Sequence, residues 1–180
     1  MIEVPRPEAT KFNLLDGQKA ERKLLVTAVN VGEKLGSGTP EWQIIGVGVE
    51  DSSIEYNPDT TTSTDILGIT TTNINKLETS QTLEPMTVIG GSKLALKLYN
   101  QVKYGRLSEL AMYEVMQIHA YVGTEGAYEA EGHRNCTLTP QSVGGSANVD
   151  MPINISYSND KVHGTVDNYK YGEEVTFTEA

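Results

Sequence analysis

What is scarce in this 180-residue chain narrows its chemistry. It has one cysteine, Cys136, so no internal disulfide can form. Stability then falls to the core and to partners, as suits a reducing compartment. Long apolar runs are also missing: no stretch approaches the roughly 18 residues that a spanning helix needs. The opening, MIEVPRPEATKF, carries two prolines and mixed charge. A secretory signal would have a basic start and an apolar run of about 7–15 residues there, so the expectation is synthesis in the cytoplasm with no membrane partner. Basic charge is in deficit, with 14 Lys and Arg against 24 Asp and Glu, a net charge of −10. Proteins that grip nucleic acid cluster Lys and Arg against phosphates, and this balance argues against that class.

Catalytic and cofactor motifs are absent in the same way. There is no Gly-x-Ser-x-Gly elbow and no protease-type cysteine motif. The glycine cluster GEKLGSG at 32–38 lacks the Lys-Ser/Thr ending of a phosphate loop, and no helical pattern follows it, so it reads as a loop. His133 and Cys136 stand two residues apart, with His119 and His163 elsewhere in the chain. Zinc sites declare themselves by paired Cys/His clusters, which this arrangement is not. Asp51 and Glu55 have no aromatic pocket nearby in sequence that would raise a carboxyl pKa. The expectation is therefore no catalytic residue, no cofactor and no metal.

What is present reads as a β-rich globular chain. Hydrophobic residues make up 38% and charged residues 21%, and the length allows one core that buries about two-thirds of the unfolded surface. A single domain over 1–180 is expected, preceded within it by a polar, proline-bearing arm at 1–22. LLVTAVNVG (Leu24 to Gly32) reads as a β-branched strand. In QIIGVGVEDSSIEYNP, Ile45, Val47 and Val49 share one face with Gly46 and Gly48 opposite, and the phase then slips to Ile54 and Tyr56, suggesting a bulge at 50–53. Ser92 is placed as the N-cap and Gly105 as the end of one helix over 92–105. Its wheel puts Leu94, Ala95, Leu98, Tyr99 and Val102 in an apolar stripe, with Lys93, Lys97, Asn100 and Gln101 opposite.

Alternation returns over Leu110 to Val122 with both faces semi-apolar, so both are expected to be covered. VDMPINISYS alternates with Val149, Met151, Ile153, Ile155 and Tyr157 facing in. SNDK after it suggests a turn into a last hairpin among the C-terminal hairpins of 133–180, and Pro152 suggests an edge strand or bulge.

Two features remain. Residues 50–84 read as long strands joined by an extended arm or hairpin, and Thr60 to Thr72 holds seven threonines with no aromatic residue, strand-prone but not core-like. The helix region 92–106 holds Lys93, Lys97, Lys103 and Arg106 and no acid, which leaves 10 basic against 24 acidic residues elsewhere. Charge is segregated along the chain.

The order of KLLVTAVNVG, TPEWQIIGVGVEDSSIEYNPDTTTSTDILGITTTNINKLETSQTLEPMTVIGG, SKLALKLYNQV and YEVMQIHAYVG resembles the major tail (tail tube) proteins of long-tailed bacteriophages and prophages. The resemblance covers about 23–123, with EDSSIEYNPD and TDILGITTTNINK its most distinctive parts. It implies a mainly β, antiparallel β-sandwich or barrel-like tail-tube fold with one flanking α-helix and a long extended loop or hairpin. It further implies a structural virion protein, made in the host bacterial cytoplasm, that assembles as stacked hexameric rings into a hollow tail tube. Its partners would be copies of itself, a tape-measure protein and tail terminator and tip proteins, with genome DNA passing through without specific binding.

On that reading the threonine-rich segment is an inter-subunit assembly arm, with Asn57, Thr60, Thr64, Ile66, Leu67, Ile69 and Thr72 as its candidate residues. Extended backbone donates its polar groups to a neighbour's sheet edge, and threonine favours extension while tolerating water. Asp51, Glu55 and Glu78 are candidate lumen-facing acids, since carboxylates repel phosphates over a Debye length of roughly 8–10 Å. Two other classes stay open: the tube of a contractile or secretion-type injection apparatus, and a carbohydrate-binding β-sandwich module that would need Trp42 and the tyrosines gathered on one face.

Overall fold

β-branched and alternating segments become strands, and the Ser92 signal becomes a helix start. The computed structural model describes residues 11–180, so the first ten residues of the expected N-terminal arm lie outside the described residues. The strands are β1 (Leu25–Asn30), β2 (Trp42–Ile45), β3 (Ile54–Glu55), β4 (Pro58–Thr64), β5 (Thr70–Leu77), β6 (Ser80–Leu83), β7 (Tyr113–Thr124), β8 (Ala127–Pro140), β9 (Ile153–Ser156), β10 (Lys161–Val166) and β11 (Phe177–Glu179); the helix α1 is Lys93–Lys103. Nine strands form one antiparallel sheet along the path β2-β1-β7-β8-β9-β6-β3, with β10 on β8 and β11 on β10. β4 and β5 form a separate two-stranded sheet. The fold is mainly antiparallel β with one α-helix, as the sequence suggests.

β8 organises the whole. One of its edges pairs with β7 from Tyr113↔Cys136 onward. Along the other edge run β10 (Lys161↔His133) and then β9 (Thr137↔Ser156), so β9 and β10 are two parts of one interrupted strand. The sheet divides there, with β11 continuing from β10 and β6-β3 from β9. The two halves and α1 enclose a core in which Val29 and Val115 meet Leu83, Leu138, Ile153 and Ile155, with Leu94 and Leu98 of the helix alongside. A second cluster, Ala28, Trp42, Ile44, Met116, Ile118 and Val166, covers the other face of β1 and β7. Both faces of β7 are thus covered, which explains its semi-apolar alternation.

Several expectations need correction. The strand after Trp42 stops at Ile45, because Gly46 and Gly48 take φ of +116° and +80° and turn the chain, with the Val49 amide donating to the Gly46 carbonyl. Positive φ is cheap only for glycine. No bulge therefore forms at 50–53; the irregularity comes at Asp59/Thr60. β7 begins at Tyr113, and Leu107–Ala111 is a short 3₁₀ turn. SNDK is the interruption between β9 and β10, not a hairpin turn: the Ser158 hydroxyl donates to the Arg134 carbonyl and accepts from the Asp160 amide. Pro152 precedes β9, which is interior rather than an edge, and Val149 is exposed.

The helix starts as expected. Ser92 Oγ accepts from the Ala95 amide at 3.2 Å, and Gln43 of β2 donates to Ser92 Oγ (2.8 Å) while accepting from the Leu94 amide (3.0 Å). Gly105 follows its end with φ +66°. Its buried side is Leu94, Ala95, Leu98 and Gln101; Tyr99 and Val102 are half-exposed. Gln101 is inside because its amide has partners: its Oε1 accepts from Tyr113 Oη at 2.5 Å and its Nε2 donates to Glu109 at 3.3 Å. A satisfied polar group can be buried at little cost.

Leu98→Ala should lower stability by about 2–5 kcal/mol through the cavity it leaves, and Gln101→Ala by about 1–3 kcal/mol through the orphaned Tyr113 hydroxyl. Val102→Asp should cost about 1 kcal/mol or less, since half of its side chain faces water. Thermal melts decide this, and equal losses at Leu98 and Val102 would put the helix on the wrong face.

Candidate functional site: the protruding hairpin

The threonine-rich segment pairs with itself. Register runs unbroken from Ile54↔Gln81 and Glu55↔Ser80 in the body to Pro58↔Leu77 and Asp59↔Lys76 outside it, then shifts at Thr60↔Ile74 and continues to Thr64↔Thr70. The exit from the body is made at Asn57, which takes φ +43° and whose Nδ2 donates to the Glu78 carbonyl and Ser80 Oγ, both at 3.0 Å. Asparagine tolerates this conformation better than most residues. Beyond it every residue of both strands is exposed. Seven residues at about 3.3 Å each carry the hairpin roughly 20 Å from its root.

An isolated two-stranded ribbon is marginal in water and needs cross-strand contacts. Here hydroxyls supply them. Thr62 pairs with Thr72 and Thr64 with Thr70, each at 3.1 Å, on one face. On the other, Asn75 Nδ2 donates to Thr61 Oγ1 at 2.7 Å. Threonine therefore serves two purposes, extended backbone and hydroxyl pairing.

The five-residue tip is built on Asp65. Its Oδ1 accepts from the Leu67 amide (2.8 Å) and the Ile69 amide (2.9 Å), and Gly68 turns at φ +79°. The result holds Ile66, Leu67 and Ile69 outward, with 102%, 79% and 59% of their surface exposed. Ile74 and Leu77 are exposed along the stem. Large apolar side chains are thus held in water by an ordered turn, which makes the tip a candidate interaction surface.

All seven arm candidates lie on this element: Asn57 at the root, Thr60, Thr64 and Thr72 on the stem, and Ile66, Leu67 and Ile69 at the tip. Asp65, which holds the tip, was missed by sequence reasoning; the Asp-x-x-Gly spacing was its signal. The three acids are all exposed. Glu55 and Glu78 sit near the hairpin root, whereas Asp51 lies on the 46–53 connection. Glu78 is paired with Lys76 at 2.6 Å, which raises the lysine pKa. By register, Glu55 shares the outer face of β3-β6-β9-β8 with Ser80, Thr82, Asn154, Ser156, Thr137 and Thr139. It is the one charged residue among these register partners.

The histidine and cysteine candidates are dispersed. Cys136 is fully buried, its thiol pushed up to about 11 by burial. His133 is buried with Nδ1 at the Ser158 carbonyl and Nε2 3.0 Å from Glu131, whose pKa falls to about 2 through its bond to His133 and, further, to Lys161. Among the described residues no three His, Cys, Asp or Glu side chains gather as metal ligands.

No protein-family model matches the chain, and no curated protein matches it. Among solved structures it is similar to the sheath/tube terminator of an extracellular contractile injection system (PVC) in its extended state, at 14% identity and TM-score 0.47, covering 91% of this chain and 99% of that one. The sheath-tube complex of the same system gives 16% identity and TM-score 0.45 over 83% and 94%. The tube-terminating cap of an anti-feeding prophage gives 13% and 0.44 over 93% and 96%. At these identities and TM-scores the likenesses carry no argument about function, which rests on the hairpin.

Asp65→Ala should free the Leu67 and Ile69 amides and loosen the tip while leaving the body intact. Hydrogen exchange should speed up at those two amides with the melting temperature unchanged; unchanged exchange would show that Gly68 alone sets the turn.

Proposed function

We propose that the chain is a structural, non-catalytic subunit that polymerises into a tail tube, and that the hairpin is its assembly arm. The observation that carries this is the hairpin itself: an ordered ribbon, outside the core, with a water-exposed apolar tip and two unpaired outer edges. Such edges are templates for pairing with another chain, and proteins that do not use them blunt or cover them. Here the edges are long and the tip is apolar, which suits a contact made in every subunit.

The sequence resemblance to phage and prophage tail tube proteins supplies the form of the assembly: hexameric rings, stacked, enclosing a channel for genome DNA. A ring built from one chain needs a heterologous contact that closes, and a projecting arm reaching a neighbour provides one. If Glu55 faces the channel, the outer face of β3-β6-β9-β8 does too, and the wall is then hydroxyl- and amide-rich with Glu55, Glu78 and Asp51 adding negative charge. That wall offers phosphates little free positive charge, since Lys76 is paired with Glu78, and so lets DNA pass. The proposed partners are further copies of the chain, a tape-measure protein in the channel, and terminator and tip proteins at the ends. The carbohydrate-module reading has less support, since the exposed aromatics Phe12, Tyr56, Tyr99, Tyr104 and Tyr171 are spread over the N-terminal segment, hairpin root, helix and a C-terminal loop.

Replacing Thr60–Thr72 by a short Gly-Ser bridge should leave a folded domain that no longer assembles. Circular dichroism and negative-stain microscopy of concentrated protein are read together. Assembly by the shortened protein would remove the arm from the account, and unfolding would make the segment part of the core.

A further inference from the structure

The apolar tip has a counterpart on the same chain. Tyr99 and Val102 of α1, with Pro140, Val143 and Met151, line an apolar cleft of about 390 Å³, and Lys103 stands at its rim. Met151 forms a buried floor, whereas Tyr99, Val102 and Val143 are roughly half exposed. The Lys103 ammonium lies over the rings of Tyr99 (5.7 Å) and Tyr104 (5.4 Å), and the Arg106 guanidinium over Tyr104 (5.8 Å). The cleft is thus greasy inside and cationic at one lip.

We propose that this cleft is the socket for the hairpin tip of a second copy of the chain, with Leu67 and its neighbours Ile66 and Ile69 entering against Val102 and Val143. The inference rests on the assembly reading above and names the partner surface.

Three features select a second copy as the occupant. The tip of the same molecule is fully exposed, so it does not sit in its own cleft. Charge is complementary: with Lys76 and Glu78 paired, the hairpin and its root keep Glu55, Asp59 and Asp65, while 92–106 keeps Lys97, Lys103 and Arg106 beside Lys93, which is paired with Glu41. Asp65 brings a carboxylate to the base of the apolar tip, where it would meet Lys103 at the lip as the tip enters. Finally, knob and socket on one chain make a head-to-tail contact, which can close a ring or join one ring to the next. Both partners are pre-ordered, the knob by Asp65 and the socket by α1 packing, so little conformational entropy opposes docking.

The test pairs two cysteine variants, Leu67→Cys and Val143→Cys, mixed under the conditions in which the parent chain assembles and treated with a short thiol cross-linker. Cys136 is buried and stays out of the reaction. A covalent dimer with a 67–143 linkage by mass spectrometry is expected, and none from Leu67→Cys mixed with Gln18→Cys. Val102→Asp, placed in the socket and checked by its melting temperature to remain folded, should raise the concentration needed for assembly at least ten-fold. Assembly with no 67–143 linkage and with Val102→Asp unimpaired would overturn the socket and leave the tube reading standing. A parent chain that stays monomeric at every concentration would overturn both.

Discussion

Backbone pairing between Ile54–Glu55 and Ser80–Gln81 is the joint on which the arm depends. Those four residues are the last of the hairpin that belong to the body, and β6 passes their alignment on to β9 and β8. Because side chains alternate with period two, one residue of slip there would turn Gln81 and Leu83 outward and reverse both faces of the ribbon. The joint is fixed from within: Gln81 Oε1 accepts from Thr27 Oγ1 at 3.1 Å and Tyr157 Oη at 2.7 Å, and its Nε2 donates to Ser52 Oγ at 3.2 Å. A buried amide held by three hydrogen bonds strongly favours the one register that makes them. The projecting part needs no core of its own because its origin is held in this way.

Much of this plan was legible in the residues. Alternation on both faces of 113–122 foretold a strand covered on both sides, and Ser92 foretold a cap, since both are local rules that tertiary contacts reinforce. The threonine run was legible as extended and non-core. Arm and hairpin both stayed open for this segment, because its turn, Asp-Ile-Leu-Gly-Ile, places apolar residues where turns are normally polar. Gly68 and Asp65 were the only signs. Gln101 was put on the wrong side of the helix because a wheel sorts by polarity, whereas burial is decided by whether the amide finds partners, here Tyr113 and Glu109. The glycines at 46 and 48 were read as one face of a strand and are the points where it ends. Which acids come near the hairpin root depends on the register between distant segments and could not be read from spacing.

The pieces form one physical argument. A chain with one cysteine stabilises its body through a two-cluster core and a helix hydrogen-bonded to β2. What it leaves in water is specific: a hydroxyl-paired ribbon, an apolar tip locked by one carboxylate, and a cationic, apolar cleft beside the helix. Each is costly or useless to a solitary domain. Together they suit the proposed subunit, whose free surfaces would be completed by copies of itself, with an acidic arm and a basic helix on the same chain.

The central claim, that the hairpin is completed by a neighbouring subunit, is tested most directly by hydrogen exchange at its outward-facing amides in dilute and in assembled protein. The account predicts fast exchange over Asp59–Thr64 and Thr70–Leu77 at these amides in the monomer and strong protection in the assembly. Exchange that stays equally fast once rings or tubes have formed would contradict it.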